Sequence, residues 1–205
     1  MLLHFYVEEP SAEAALIELV PRILADYPDQ YEYDIFPFQG KTDLLRKIPT
    51  RLKAYPYRVD SWRVFILIDQ DEQDCLSLKA DLERIAHEAG LNTRATNPNQ
   101  VQVINRIIVK ELESWFFGDI PAIVAAYHRV DPHLSEHAAY RDPDAITGGA
   151  WERLERLLAY AHPGGLEKIR AAAEIARHMD PPRNRSRSFQ TFRRALLAVF
   201  QSPTP

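Results

Sequence analysis

Acidic side chains crowd one place in this chain, the stretch RVFILIDQDEQD at residues 63–74. A run of aliphatic and aromatic residues there passes straight into Asp69, Asp71, Glu72 and Asp74. Continuous apolar runs of this kind suit a strand covered on both faces, as in a parallel sheet. Ligands of such sheets bind in the crevice at the carboxyl ends of the strands. Carboxylates packed at that edge repel one another unless a proton or a cation lies between them. Glu8 ends another short apolar run, LLHFYV. If these two runs are neighbouring strands, about 4.8 Å apart, Glu8 and Asp69 meet at one edge. Asp69 and Asp71 are two residues apart, so in an extended chain their carboxylates point the same way. Glu8, Asp69 and Asp71 then offer three hard oxygen donors, suited to Mg²⁺ or Mn²⁺. Asp74 reads instead as the N-cap of a following helix.

Further candidates lie at the same edge or beyond it. Glu111 and Glu113 follow a fourth apolar run. Either they complete a second metal site, as two-metal nucleases require, or the chain is already helical there and only one of them faces inward. Lys41, after Gly40, either meets a phosphate or is a solvated turn residue; a lone Gly-Lys is not a P-loop. Arg183, Arg185, Arg187, Arg193 and Arg194 fall within twelve residues that contain no acid. They either grip a phosphate backbone or pair with the acidic remainder of the chain. Arginines at a helix start oppose the macrodipole, which calls for an anionic partner, internal or external. Trp115, Phe116 and Phe117 read as core residues.

The elements that must position these groups follow from periodicity. Strands are expected at 2–7, 31–38, 63–68 and 101–109. A first helix follows Ser11 as N-cap and is kinked or divided at Pro21. Further helices are expected at 42–55 and at 74–89, the latter stopped by Gly90. The order β-α-β-α-β-α-β indicates a parallel sheet with crossover helices. Beyond residue 115 the pattern is helical, at 121–128, 151–160, 166–179 and 189–200, and the last four residues are expected to fray.

The bulk numbers narrow the function classes. The chain has 205 residues, 46% hydrophobic and 26% charged, ordinary for a globular protein. A net charge of −4 means that the surface as a whole does not advertise nucleic acid. The single cysteine, Cys75, excludes an internal disulfide or a thiolate zinc cluster. No signal-peptide pattern and no apolar run near the ~20 residues of a membrane span are present, so a cytoplasmic protein is expected.

An acid after the first strand with D-x-D after the third resembles the TOPRIM domain of topoisomerases, primases and overcoming-lysogenization-defect nucleases. The chain is more similar still to an uncharacterised bacterial family of small TOPRIM-like proteins often encoded beside an AAA-type ATPase. The matching pieces are Val7-Glu8-x-Pro10-Ser11-x-Glu13, Phe38-x-Gly40-Lys41-x-Asp43-Leu44, Leu67-Ile68-Asp69-x-Asp71, Lys110-Glu111-Leu112-Glu113-Ser114-Trp115 and Asn184-x-Ser186-x-Ser188-Phe189. The resemblance implies a TOPRIM-like α/β domain at 1–118, with a helical extension at 119–205 packed on it. It implies Asp69 and Asp71 as holders of Mg²⁺ or Mn²⁺, with Glu8 as a further ligand or general acid/base. Lys41 as a nucleic-acid contact is kept because the resemblance includes it, whereas Glu111 and Glu113 as catalytic acids and Arg183, Arg185 and Arg187 as nucleic-acid contacts rest on their own positions in the chain. The implied activity is metal-dependent phosphodiester cleavage, possible in bacterial defence. Glu9 and Asp74 stand where many TOPRIM proteins have glycine, which favours an alternative: a non-catalytic interaction or regulatory subunit of a neighbouring AAA-type ATPase.

Overall fold

The computed structural model describes residues 1–55, 61–162 and 164–201; the tail expected to fray lies outside them. Four strands, β1 (Leu2–Val7), β2 (Glu32–Pro37), β3 (Trp62–Asp69) and β4 (Val103–Ile108), form one sheet in the order β2-β1-β3-β4. Every pairing is parallel. The crossovers are α1 (Pro10–Ile23), α2 (Lys41–Leu52) and α3 (Cys75–Glu88). The α/β class and the neighbouring placement of the first and third strands are as the sequence pattern indicates.

Two apolar layers sandwich the sheet, which is why β3 reads as an unbroken hydrophobic run. On one face Tyr6, Val64, Ile66 and Ile68 pack with Leu44, Ile48, Leu78 and Leu82 of α2 and α3. On the other face Phe5, Val7, Phe65 and Leu67 pack against α1 and against helices from the second half of the chain. Those helices are α4 (Glu113–Phe117), α5 (Ile120–Ala126), α6 (Ala150–Leu158), α7 (Lys168–Ala176) and α8 (Arg187–Gln201). Phe192 of α8 lies edge-on to both Phe5 and Phe65 and stacks on Trp115 at 5.3 Å. Residues before and after 118 therefore share one core, and Trp115, Phe116 and Phe117 are each about 1% exposed within it.

Several boundaries differ from the sequence expectation for local reasons. Helix α1 begins at Pro10 rather than after Ser11, because proline suits a first helical position. Pro21 neither divides the helix nor ends it. Its ring removes the N–H that would reach the Ile17 carbonyl, and the Tyr33 hydroxyl of β2 donates to that carbonyl instead, at 3.4 Å. Helix α2 starts at Lys41, one residue early, with Gly40 at φ +90° leading into it. In α3, Asp74 is the N-cap, accepting from the Ser77 N–H at 2.7 Å and the Ser77 hydroxyl at 2.8 Å.

The motifs Lys110–Trp115 and Asn184–Phe189 hold each other. Asn184 Nδ2 donates to the Trp115 carbonyl at 2.7 Å, Trp115 Nε1 donates to Ser188 Oγ at 2.9 Å, and the Arg185 N–H donates to the Gly118 carbonyl at 2.8 Å. Gly118 is where the two segments touch: a Cβ there would sit 2.2 Å from Asn184 Oδ1 and 2.9 Å from the Ser186 nitrogen. Among the described residues no helix is long and apolar enough to cross a membrane.

Candidate functional site: an acidic edge with two internal cations

Parallel pairing with matched register brings Val7 opposite Leu67, so the chains leaving β1 and β3 emerge side by side. The first contact made there joins two predicted residues: the Asp69 N–H donates to Glu8 Oε2 at 3.1 Å. Asp69 is 7% exposed. Burial raises its carboxyl well above the usual range, and the neighbouring Glu8 and Glu113 carboxylates add to the rise. Glu8 is raised too, first by burial, with the Asp69 N–H and Lys41 working against the shift.

Glu113, in the first turn of α4, is about 1% exposed. Neither of its carboxylate oxygens has a hydrogen-bond partner. Burial pushes it up to about 7, against the pull of Lys168. Lys168, at the start of α7, brings its ammonium to this group: it pairs with Glu9, lies 3.7 Å from Glu113 Oε1 and sits 5.6 Å from the centre of the Trp151 ring. Burial works against that charge, but Glu113, Glu9 and Asp69 hold Lys168 above the ordinary lysine range. One fixed cation among four carboxyls leaves an excess of negative charge, which a proton or a further cation would offset.

The remaining candidates are held by other partners, although Lys41 and Asp71 both still act electrostatically on Glu8. After β3 the chain does not stay extended: Asp71 adopts φ +52°, its N–H donating to the Lys110 carbonyl at 3.0 Å. Its carboxylate pairs with Lys41 Nζ at 2.6 Å. Lys41 also donates to the Gln70 carbonyl at 3.2 Å, so it is the counter-ion of this turn. Glu111 and Glu113 follow the second of the two readings, in which only one of them faces inward. Glu111 Oε2 accepts from the Trp151 N–H at 2.8 Å, satisfying a first-turn donor of α6, while Glu113 alone faces inward.

The arginine run is anchored from within. Arg183, Arg185 and Arg187 point outward while Asn184, Ser186 and Ser188 between them are buried. Arg183 forms a two-pronged pair with the fully buried carboxylate of Asp119, at 2.8 and 3.0 Å, and Arg185 donates to the Arg141 carbonyl. Asp144 accepts from the N–H groups of Arg187 and Ser188 at 2.6 and 3.2 Å. The anion that a basic helix start calls for is thus supplied by a carboxylate forty residues earlier. Sequence reasoning did not single out Lys168, Glu9, Asp119 or Asp144 for these places; for Lys168 no local signal existed, since it lies on an ordinary amphipathic helix.

Donor chemistry at the edge matches a hard divalent ion: Glu8, Asp69 and Glu113 offer carboxylate oxygens, two of them buried and unpartnered. As positioned, no group of three or more acids, histidines or cysteines among the described residues is arranged to hold a metal ion, so closing around one requires side-chain rotation.

The profile of the family described as Domain of unknown function (DUF4276) matches residues 7–197, and the chain belongs to that family. Two solved structures are similar across nearly the whole chain, both of the C-terminal region of the Xanthomonas campestris pv. campestris OLD protein, phased with mercury and with platinum. Each is 16% identical, covers 97% of this chain, 97% and 95% of its own respectively, and superposes with a TM-score of 0.44. No curated protein matches.

Proposed function

We propose that this family member is a divalent-metal-dependent phosphodiesterase acting on nucleic acid, with Glu8, Asp69 and Glu113 as the acids that hold Mg²⁺ or Mn²⁺. The observation that carries the reading is the Glu113 carboxylate, buried beside Asp69 with no hydrogen bond to either oxygen, at the place where parallel sheets bind ligands. When bound, such an ion polarises a phosphoryl oxygen and lowers the pKa of water. The chain's own residues supply the rest. Lys168 stays charged, fixes Glu9 and Glu113, and offers positive charge beside a phosphate. Asp71 and Lys41 set the turn after β3 and keep it in place.

The test is cleavage of supercoiled plasmid, single-stranded DNA and RNA by the full chain with Mn²⁺ or Mg²⁺. Asp69→Asn and Glu113→Gln should each lower the rate at least about a hundredfold; Asp71→Asn should cost less. Equal cleavage by parent and variants, or none by the parent, sinks the proposal. A second reading, a non-catalytic module that docks on an AAA-type ATPase, is favoured by the internal pairs Lys168–Glu9 and Lys41–Asp71, which already neutralise part of the edge. Stoichiometric binding to such an ATPase without any cleavage would select it.

A further inference from the structure

β4 is the last strand of the sheet, and its outer side carries a second concentration of charge, built from three separate elements. Arg106 lies in register with Leu67, two residues before the Asp69–Ile108 rung. Even steps along both strands place Arg106 on the same sheet face as Asp69. Two residues of strand put it about 7 Å back from the acidic edge, one strand outward. Among the described residues its guanidinium donates only to the neighbouring Asn105 carbonyl, at 3.0 Å, while its buried Nε has no hydrogen-bond partner there. Asn92, two residues before Arg94, accepts from the Gln102 and Val103 N–H groups at the start of β4, and α8, which carries Arg194, packs against β4, so both arginines come to the side of Arg106 and oppose its charge. Glu83 is already engaged by Lys79 at 2.8 Å and Asn105 at 3.0 Å. Among the described residues no carboxylate oxygen lies within 4.0 Å of Arg94, Arg106 or Arg194. Arg94 and Arg194 are exposed.

Like charges converge in this way at a cost, and a partner with regularly spaced negative charge removes it. Guanidinium forks match phosphate oxygens, and a polymer with one charge per unit can satisfy several separated arginines at once. We propose that Arg94, Arg106 and Arg194 form a phosphate-binding edge along β4 that holds the backbone of a nucleic-acid strand leading into the acidic site. This assignment deepens the phosphodiesterase reading and rests on it for the direction in which the strand runs. It also moves the nucleic-acid contact away from Arg183 and Arg185, which have internal partners.

The experiment measures binding of a labelled single-stranded oligonucleotide and its duplex to the full chain, in EDTA, as a function of salt. The double variant Arg94→Gln/Arg194→Gln changes only exposed side chains. Loss of two phosphate contacts should make the slope of log K against log salt shallower by about 1.4 on the single strand or about 1.8 on the duplex. Arg46→Gln/Arg51→Gln, on α2 across the sheet, removes the same charge and should leave the slope near the parent's. An unchanged slope in the β4 variant, an equal loss in the α2 control, or no binding by the parent overturns the proposal. Because binding is read without metal, a shallower slope with no cleavage would overturn only the phosphodiesterase reading. Intact cleavage with an unchanged slope would overturn only this edge.

Discussion

Replacing Glu113 by glutamine keeps the shape of a buried side chain and removes its ability to ionise. In the parent, burial lifts this carboxyl from 4.5 to about 7. A carboxyl whose folded pKa is raised contributes stability below its unfolded pKa and loses it as pH rises through the folded value. The loss runs from about pH 4.5 to about pH 7 and is constant above that. Two and a half pKa units correspond to about 3 kcal/mol in full, most of which develops between pH 5 and pH 8.5. Glu113→Gln escapes this loss. In EDTA its thermal midpoint should therefore gain on the parent by about 5–10 °C between those two pH values, at 2–4 °C per kcal/mol for a chain of this size. Calorimetry or dye-monitored melting reads it directly. Mn²⁺ should raise the parent's midpoint more at pH 8.5 than at pH 5, since a bound ion stabilises by mass action and competes with the proton, and should raise the glutamine variant less. A difference between parent and variant that does not change with pH would refute the reasoning, because it would mean that Glu113 titrates alike in the folded and unfolded chains.

Other outcomes follow from single contacts. Among the described residues, Arg183→Met leaves the fully buried Asp119 carboxylate with only the Asp180 N–H, at 2.7 Å, and should cost about 2–3 kcal/mol in urea unfolding; its oligonucleotide salt slope should stay that of the parent. Gly118→Ala places a Cβ against Asn184 and the Ser186 backbone and should destabilise by about 1–3 kcal/mol, seen as a drop in melting temperature. Glu111→Gln keeps an acceptor for the Trp151 N–H and should leave any cleavage rate within a few fold of the parent, whereas Glu113→Gln should not. Equal losses in the two would mean that both acids serve the reaction.

How much of this was legible beforehand depends on the range of the signal. The buried β3 run, the alternation of strands and helices and the Asp74 cap are written in neighbouring residues, because burial on both faces demands continuous apolar side chains and a cap needs only the next three residues. The meeting of Glu8 with Asp69 was also accessible, since a parallel sheet with adjacent first and third strands leaves few alternatives. By itself, then, the amino-acid order determined an α/β sheet with acids at its carboxyl edge. Only the tertiary structure decided which acids share a site. A positive φ at one residue turns Asp71 onto Lys41, the start of α7, far along the chain from Asp69, delivers Lys168, and Glu111 and Glu113 separate because the turn between them sends one toward α6 and the other toward Asp69. Side-chain direction after a turn and the pairing of charges far apart in sequence depend on packing between elements, and no local pattern encodes them.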